Sequence, residues 1–352
     1  MKVLKRDLKH GLVEVRTETL DDLWYLSQIV EEGDKVSGRT VRKVKGKDDK
    51  LRAEQAERKP MFLEIRVESV EFDQNSNRLR ILGSITQGPD NVISLGDHHT
   101  FEVGENTQIT IIKPRWGAHH LKYLDDAKAS SKRARIMVAI IGDGEATVAT
   151  IRESGVSFVD TRESLGGKYV AGKEAKKLEF YAKLAGLLGD VAEKSSVEKI
   201  ILGGTGFEKR NFYDYLKEKD AKLAKRCSVT DTGSEGKRGV HEILKGGAAD
   251  KALSESRIAK EAQYVDKLLT EIAKDGLAAY GFKETGGAVD SGAVDVLLVS
   301  DKVLRKDREK VEKLIEKAKS AGGDFHILNS KYEAGERLDG LGGVAALLRF
   351  KV

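Results

Sequence analysis

The stretch IMVAIIGDGEATVATI, residues 136–151, decides how the chain folds. Ile136 to Ile141 is an unbroken apolar run of strand length, which suits a strand buried on both faces. Gly142-Asp143-Gly144 follows where a dinucleotide fingerprint would begin, but that fingerprint needs a third glycine and then a helix. Ala146 to Ile151 is strand-like again, so Asp143-Gly144 reads as a hairpin turn between two antiparallel strands. Dinucleotide binding is thereby set aside.

Upstream of the hairpin the pattern is mostly β. Leu12–Arg16, Lys35–Val44, Met61–Phe72 and Arg78–Ile85 are short β-rich runs separated by turn signals, and His99–Val103 and Gln108–Lys113 flank the turn Gly104-Glu105-Asn106. One helix interrupts them, with Thr19 as N-cap, Asp21 and Asp22 at the positive end of its dipole, and Leu23, Leu26, Ile29 and Val30 on one stripe. A small β-barrel over 1–128 is the economical packing, closed off by a helix from Leu121 to Ala129 and the basic junction Lys132, Arg133 and Arg135.

Downstream, strands and helices alternate. A strand at Val156–Val159, a polar loop, a helix over Glu174–Val191, a strand at Glu198–Leu202, a glycine turn, a helix over Lys209–Lys219 and a strand at Arg226–Thr230 predict an α/β middle domain over 132–252. A helical stretch over Ala248–Lys274 leads into a third domain, 256–352. There the strands Val294–Ser300, Phe325–Leu328 and Val344–Phe350 alternate with helices over Arg305–Ala321 and Gly335–Leu341, which predicts an α/β/α sandwich. The fold class is therefore multidomain, α+β and α/β.

Composition fits a soluble protein of this size. Of 352 residues 34% are charged and 39% hydrophobic, and the net charge is +5. The single Cys227 excludes an internal disulfide and a cysteine-based zinc site, and argues against thiol chemistry. No apolar h-region follows Met1-Lys2-Val3-Leu4-Lys5-Arg6 and no uncharged apolar run reaches membrane length, so a cytoplasmic location and no membrane partner are expected.

Candidate chemistry is sparse. Asp97-His98-His99 leads into a strand that would put its histidines on opposite faces, and His119, His120 and His241 are expected as surface, capping or interface residues rather than ligands. A magnesium nuclease would need converging carboxylates, for which Glu18, Asp21 and Asp22 are the best local group, although capping explains them without a metal. Gly203-Gly204-Thr205-Gly206 sits between strand and helix but lacks the Lys-Ser or Lys-Thr of a phosphate loop. Its tip offers a docking alternative: Phe207 as anchor, with Thr205, Gly206, Glu208 and Lys209 around it. The strongest signal is basic. Lys35–Lys59 holds ten basic and four acidic residues, and Arg39, Arg42, Lys43, Lys45 and Lys47 come with no carboxylate between them, as a phosphate-contacting strand and loop or a charge-protected strand edge would require. A second basic, glycine-containing loop carries Lys168 and Lys173.

The C-terminal residues Phe325 to Ser330, Gly335-Glu336-Arg337-Leu338 and Gly342 to Phe350 resemble the end of the Pelota family, relatives of the class I termination factor. Met1-Lys2-Val3, Arg42-Lys43-Val44, Gly96–Phe101, Gly144-Glu145-Ala146 and Leu202–Phe207 fall where that family has its own versions. The resemblance implies an Sm-like β-barrel, an α/β middle domain, and a C-terminal domain of the kink-turn-binding ribosomal-protein type. It implies a monomeric, tRNA-shaped factor that enters the A site of stalled ribosomes, with the segment Arg39–Lys59 and the loop Gln87–Asn91 in the decoding site. The implied partners are the ribosome with its mRNA and rRNA, an elongation-factor-like GTPase docking near Phe207, and an ATP-binding-cassette ATPase that splits the subunits. Gly166-Gly167-Lys168 stands where release factors carry Gly-Gly-Gln, so peptidyl-tRNA hydrolysis is not expected. No cofactor is required; a divalent cation enters only under the alternative implied for the family, an endoribonuclease cutting stalled mRNA. The family's Pro-Gly-Phe turn is Thr205-Gly206-Phe207 here, without the rigid proline.

Overall fold

A computed structural model describes residues 1–44, 57–73, 78–89, 93–130, 133, 135–162, 173–246 and 256–352, of which 43, 44, 57, 58 and 173 by their backbone alone. The chain divides into two compact units, Met1–Lys132 and Arg133–Val352.

The first unit is a seven-stranded antiparallel sheet. Its strands are β1 (Lys2–Asp7), β2 (Leu12–Arg16), β3 (Lys35–Val44), β4 (Glu57–Asp73), β5 (Arg78–Gln87), β6 (His98–Val103) and β7 (Gln108–Ile112), in spatial order β1-β2-β7-β3-β4-β5-β6. Alternation explains which face is buried: Val13 and Val15, Leu63 and Ile65, Leu79 and Ile81, and Ile109 and Ile111 all point inward. Against them pack Leu23, Tyr25, Leu26 and Ile29 of helix α1 (Leu20–Ile29), which starts with a capping box between Thr19 and Asp22. Bulges in the β4–β5 pairing bend the sheet, and a side chain at Gly83 would strike the Arg66 carbonyl at 2.0 Å. Helix α2 (Ala118–Ser130) packs on α1 through the edge-to-face rings of Trp24 and Tyr123.

The second unit begins with the hairpin expected from residues 136–151. β8 (Ile136–Ile141) pairs antiparallel with β9 (Glu145–Arg152), and Gly144 supplies the positive φ of +80° between them. With β10 (Gly155–Arg162), β11 (Lys199–Gly203) and β12 (Cys227–Val229) they form a sheet in the order β10-β9-β8-β11-β12, parallel only across β8-β11-β12. β8 is apolar throughout because both faces are covered. Helices α3 (Lys173–Lys194) and α4 (Glu208–Lys219) cover one face with Phe180, Leu184 and Phe212, and α6 (Gly236–Gly246) covers the other with Val240 and Leu244. The four-residue α5 (Ala221–Ala224) links α4 to β12.

The rest of the unit is a four-stranded sheet, β13-β16-β14-β15, made of β13 (Ala278–Tyr280), β14 (Val294–Ser300), β15 (Asp324–Leu328) and β16 (Val344–Leu348). Its helices are α7 (Arg257–Ala273), α8 (Gly281–Asp290), α9 (Asp301–Lys306), α10 (Arg308–Ser320) and α11 (Glu333–Gly340). Three expectations need correction. The helix expected over Ala248–Lys274 begins, among the described residues, at Arg257, where the Ser256 side chain accepts from the Ala259 amide. The helix expected over Arg305–Ala321 is two helices that meet at Asp307. The third domain has a fourth strand, β13, and a helix, α8, where none was read.

Candidate functional site

Phe207, at 77% the most exposed Phe, Tyr or Trp among the described residues, stands on the turn between β11 and α4. Gly204 makes the turn possible. Its φ is +155°, and a β-carbon there would lie 2.4 Å from the Ile141 carbonyl. Thr205 and Gly206 are exposed, with the Thr205 hydroxyl donating to Glu235 Oε1 at 3.0 Å. Glu208 is half-buried and held from behind, accepting from Lys177 Nζ at 2.8 Å and from the Tyr181 hydroxyl at 2.6 Å. Burial and the Glu208 carboxylate together push the Tyr181 phenol well above its ordinary range, so it remains a donor.

Lys209, expected among the contacting residues, lies inside the domain. Its side chain is 1% exposed, and its ammonium donates to the carbonyls of Gly204 at 2.6 Å and Gly206 at 2.5 Å and lies 2.8 Å from Asp231 Oδ1. The turn therefore points carbonyls at a lysine and is not a phosphate cradle.

Of the basic run, the structure places Arg39, Arg42 and the backbone of Lys43 on β3; Lys45 and Lys47 lie outside the described residues, as do the tip of the Gln87–Asn91 loop and Gly166-Gly167-Lys168. Lys173 opens α3. Arg39 is exposed, opposite Phe62 of β4, which is itself 56% exposed; Val41 lies two residues along on the same face at 57%. Arg42 turns back, its guanidinium bonded to Asp97 Oδ2 at 2.9 Å. An arginine beside an exposed aromatic is the pairing that single-stranded nucleic acid binds through phosphate contact and base stacking. Phe62 escaped the sequence reading, although an aromatic at an outward strand position was the available signal.

The carboxylates separate in role. Asp22 is fully buried, with Oδ1 2.8 Å from the Met1 amino group and Oδ2 accepting the Glu18 and Thr19 amides at 2.7 and 3.0 Å. Glu18 reaches the Met1 amino group at 3.4 Å and Asp21 sits in the first turn of α1. The Asp22 oxygens are spent on the fold. In Asp97-His98-His99, Asp97 pairs with Arg42, His98 lies 3.2 Å from Glu68, and His99 bonds the Thr40 hydroxyl at 3.0 Å.

Of the surface, capping and interface roles expected for the histidines, the surface one fails for His119 and His120, which are 2% and 0% exposed, and the capping one fits His120, which accepts the Gly117 amide just before α2. With Glu31 the two histidines bring donor atoms within 4.8 Å of one another, the one such group among the described residues. His120 Nδ1 accepts the Gly117 amide at 3.1 Å, so Nε2 carries the hydrogen and donates to Glu31 Oε2 at 2.9 Å. Lys113, buried under Trp116, bonds Glu31 Oε2 at 2.8 Å and Asp34 Oδ2 at 2.5 Å. This is a hydrogen-bonded fastening of α2 to the sheet rather than an open chelate. Burial pushes the lone Cys227 thiol up to about 12, which keeps it protonated and inert at neutral pH.

The α/β half that carries the exposed Phe207 turn and the α/β half after it, preceded by a sheet domain, place the chain in the class of proteins built on eRF1-type domains. Residues 135–255 match the family model eRF1 domain 2 and residues 258–352 match eRF1 domain 3. An archaeal translation termination factor, aRF1, shares the fold over 77% of this chain and 75% of its own, at 21% identity and a TM-score of 0.50.

Within that class the chain belongs to the Pelota family. Residues 1–128 match the Pelota N-terminal domain. The protein pelota homologue of Thermococcus kodakarensis is 43% identical over 356 residues, and that of Pyrococcus horikoshii 42% over 355, each covering all of both chains. The crystal structure of the Thermoplasma acidophilum Pelota protein covers both chains completely at 25% identity and a TM-score of 0.76. Among the described residues no helix is long and apolar enough to cross a membrane.

Proposed function

We propose that this chain is a ribosome-rescue and mRNA-surveillance factor of the cytoplasm, which occupies the A site of stalled ribosomes and promotes subunit dissociation with a translational GTPase and a cassette ATPase. The observation that carries the reading is the family match over the whole length, near 40% identity from the sheet domain to the last strand. The surfaces are consistent with it. The face of Arg39, Val41 and Phe62 would meet RNA, together with Lys43, Lys45 and Lys47, which follow it in the sequence, and so would Lys168 and Lys173. Thr205, Gly206 and Phe207 would dock the GTPase, with Glu208 as the mount of the turn.

Bond breaking falls to the partners in this reading. Endoribonuclease action through Glu18, Asp21 and Asp22 is disfavoured because Asp22, the buried member, already accepts three hydrogen bonds. The test is a reconstituted splitting assay with stalled ribosomes and both NTPases. The wild-type chain is expected to split them, Phe207→Ala to lose GTPase-dependent delivery, and Arg42→Ala with Lys43→Ala to lose affinity. RNA cleavage by the purified protein with magnesium, abolished by the carboxylate substitutions in folded variants, would replace this reading with the nuclease.

A further inference from the structure

We infer that Lys209 is a positioning residue that presets the Gly204–Phe207 turn from inside the middle domain, so that the Phe207 ring is already outward when the GTPase arrives. The inference rests on the docking role proposed above for Phe207.

A lysine ammonium deprived of water is costly unless its donors are all satisfied. Lys209 satisfies them in one way: three N–H groups meet three acceptors, the carbonyls of Gly204 and Gly206 and the carboxylate of Asp231. Two of these belong to the turn itself, and the third is on the chain leaving β12. One buried atom thus closes the turn onto its neighbour and has no donor left for an outside ligand. Asp231 is held as a carboxylate by Lys209, its pKa lowered by that contact, and lies 3.6 Å from Arg210.

Such a tie is needed here. Gly203, Gly204 and Gly206 make the segment costly to order, and no proline restricts it. Phe207 is exposed and cannot fix its own direction by packing. The lysine also stands in the first turn of α4, where the helix dipole disfavours a cation, so the placement is explained by the turn carbonyls and not by the helix. A turn ordered before binding spares the ordering cost at encounter.

The experiment measures amide hydrogen exchange at Arg210, Asn211 and Thr232, whose N–H groups donate to the Phe207 and Gly204 carbonyls of the turn, in the free full-length protein, and association and dissociation rates with the GTPase. Lys209→Met is expected to speed exchange at these amides about tenfold with the other core amides unchanged, and to lower the association rate by a similar factor with little change in dissociation. A Lys209→Met protein that folds with unchanged exchange and unchanged association overturns the inference. If that variant does not fold, Asp231→Asn, which leaves the core filled, carries the test: faster exchange at the same amides supports the inference and unchanged exchange overturns it. Phe207→Ala separates the two claims. Should it bind the GTPase as well as wild type, the docking reading fails, while the exchange data still judge the hold of Lys209 on the turn.

Discussion

The ring of Tyr332 lies directly against the α-carbon of Gly155: a β-carbon there would be 1.7 Å from Cζ and 1.9 Å from the hydroxyl oxygen of Tyr332. Gly155 opens β10 and Tyr332 is the N-cap of α11, so the two halves of the second unit meet at a position where only hydrogen fits. Around it His241 Nδ1 lies 2.6 Å from Glu333 Oε2 and Arg257 donates to the Glu153 carbonyl at 2.5 Å. The cleft between is lined by Val156, Phe158, Leu244, Ile258 and Val265.

Gly155→Ala meets both the clash and a φ of +140°, which L-residues avoid. Stability of the second unit should fall by about 2–4 kcal/mol, read from urea unfolding of the full chain. Tyr332→Ala in the same chain relieves the clash but not the backbone strain, so the double variant should lose less than the sum of the singles. Strict additivity would show that the two residues do not meet.

The same junction responds to acid. Burial lowers the His241 pKa below its ordinary 6.5, and Lys245 and Arg337 add to this, while Glu333 opposes them and does not win. The folded chain therefore prefers the neutral imidazole, and the unfolded chain takes up the proton first. The contribution is complete above about pH 6.5 and is lost as pH falls below it. Thermal midpoints from pH 8 to 5 should drop more steeply for wild type than for His241→Asn; parallel profiles would dismiss the histidine as the cause.

Asp22→Asn should destabilise the first unit by about 2–4 kcal/mol, because the buried Met1 amino group loses its nearer, buried carboxylate while the amide keeps the shape. Glu18→Gln, at a side chain 40% exposed, should cost less than about 1 kcal/mol. Urea midpoints of the two variants decide this. Two equal and negligible effects would return Asp22 to the list of free carboxylates.

What the residues disclosed in advance was the periodic part. β2, β3, β8 and β14 have the bounds their apolar patterns predict, since alternation and fully buried runs are direct records of which faces are covered. β1, β13 and α6 were missed for physical reasons. Lys2–Asp7 lies mostly exposed at a sheet edge and carries no period, and Ala278–Tyr280 is too short to show one. Gly236–Gly246 reads as a loop because of its glycines, yet Gly239 is required there, since a β-carbon would lie 2.5 Å from the Ser234 carbonyl. The Gly203–Phe207 turn was legible as a glycine turn with an aromatic tip. That Lys209 works from beneath it was not, although a cation in the first turn of a helix was a visible anomaly.

The β3 face should separate contact from support. Arg39→Ala and Phe62→Ala remove exposed groups, so each is expected to weaken binding to stalled ribosomes with thermal stability unchanged. Arg39→Ala should also lower the salt dependence of binding by about one phosphate contact. Arg42→Ala breaks the pair with Asp97 and should cost some stability as well. Salt-titrated affinities with melting curves test this, and equal effects of all three substitutions on both measurements would undo the distinction.

The fastening of α2 at Glu31 ties stability to pH as well. Burial pushes the Glu31 carboxyl up, but the hydrogen bond from His120 and the charge and hydrogen bond of Lys113 outweigh it and hold the group well below its ordinary 4.5. Asp34, on the same lysine, goes the other way because burial dominates there. A carboxylate whose pKa is lower in the folded chain contributes stability that is complete above about pH 4.5 and is lost as pH falls toward the folded value. His120→Ala removes the principal cause of that depression. The variant should be less stable than wild type at pH 7 and should lose less on going from pH 5 to pH 3, so the two stability curves converge in acid. The measurement is urea unfolding of the first unit by tryptophan fluorescence across that range, using Trp24 and Trp116. A gap that stays constant with pH would mean that His120 acts by packing alone.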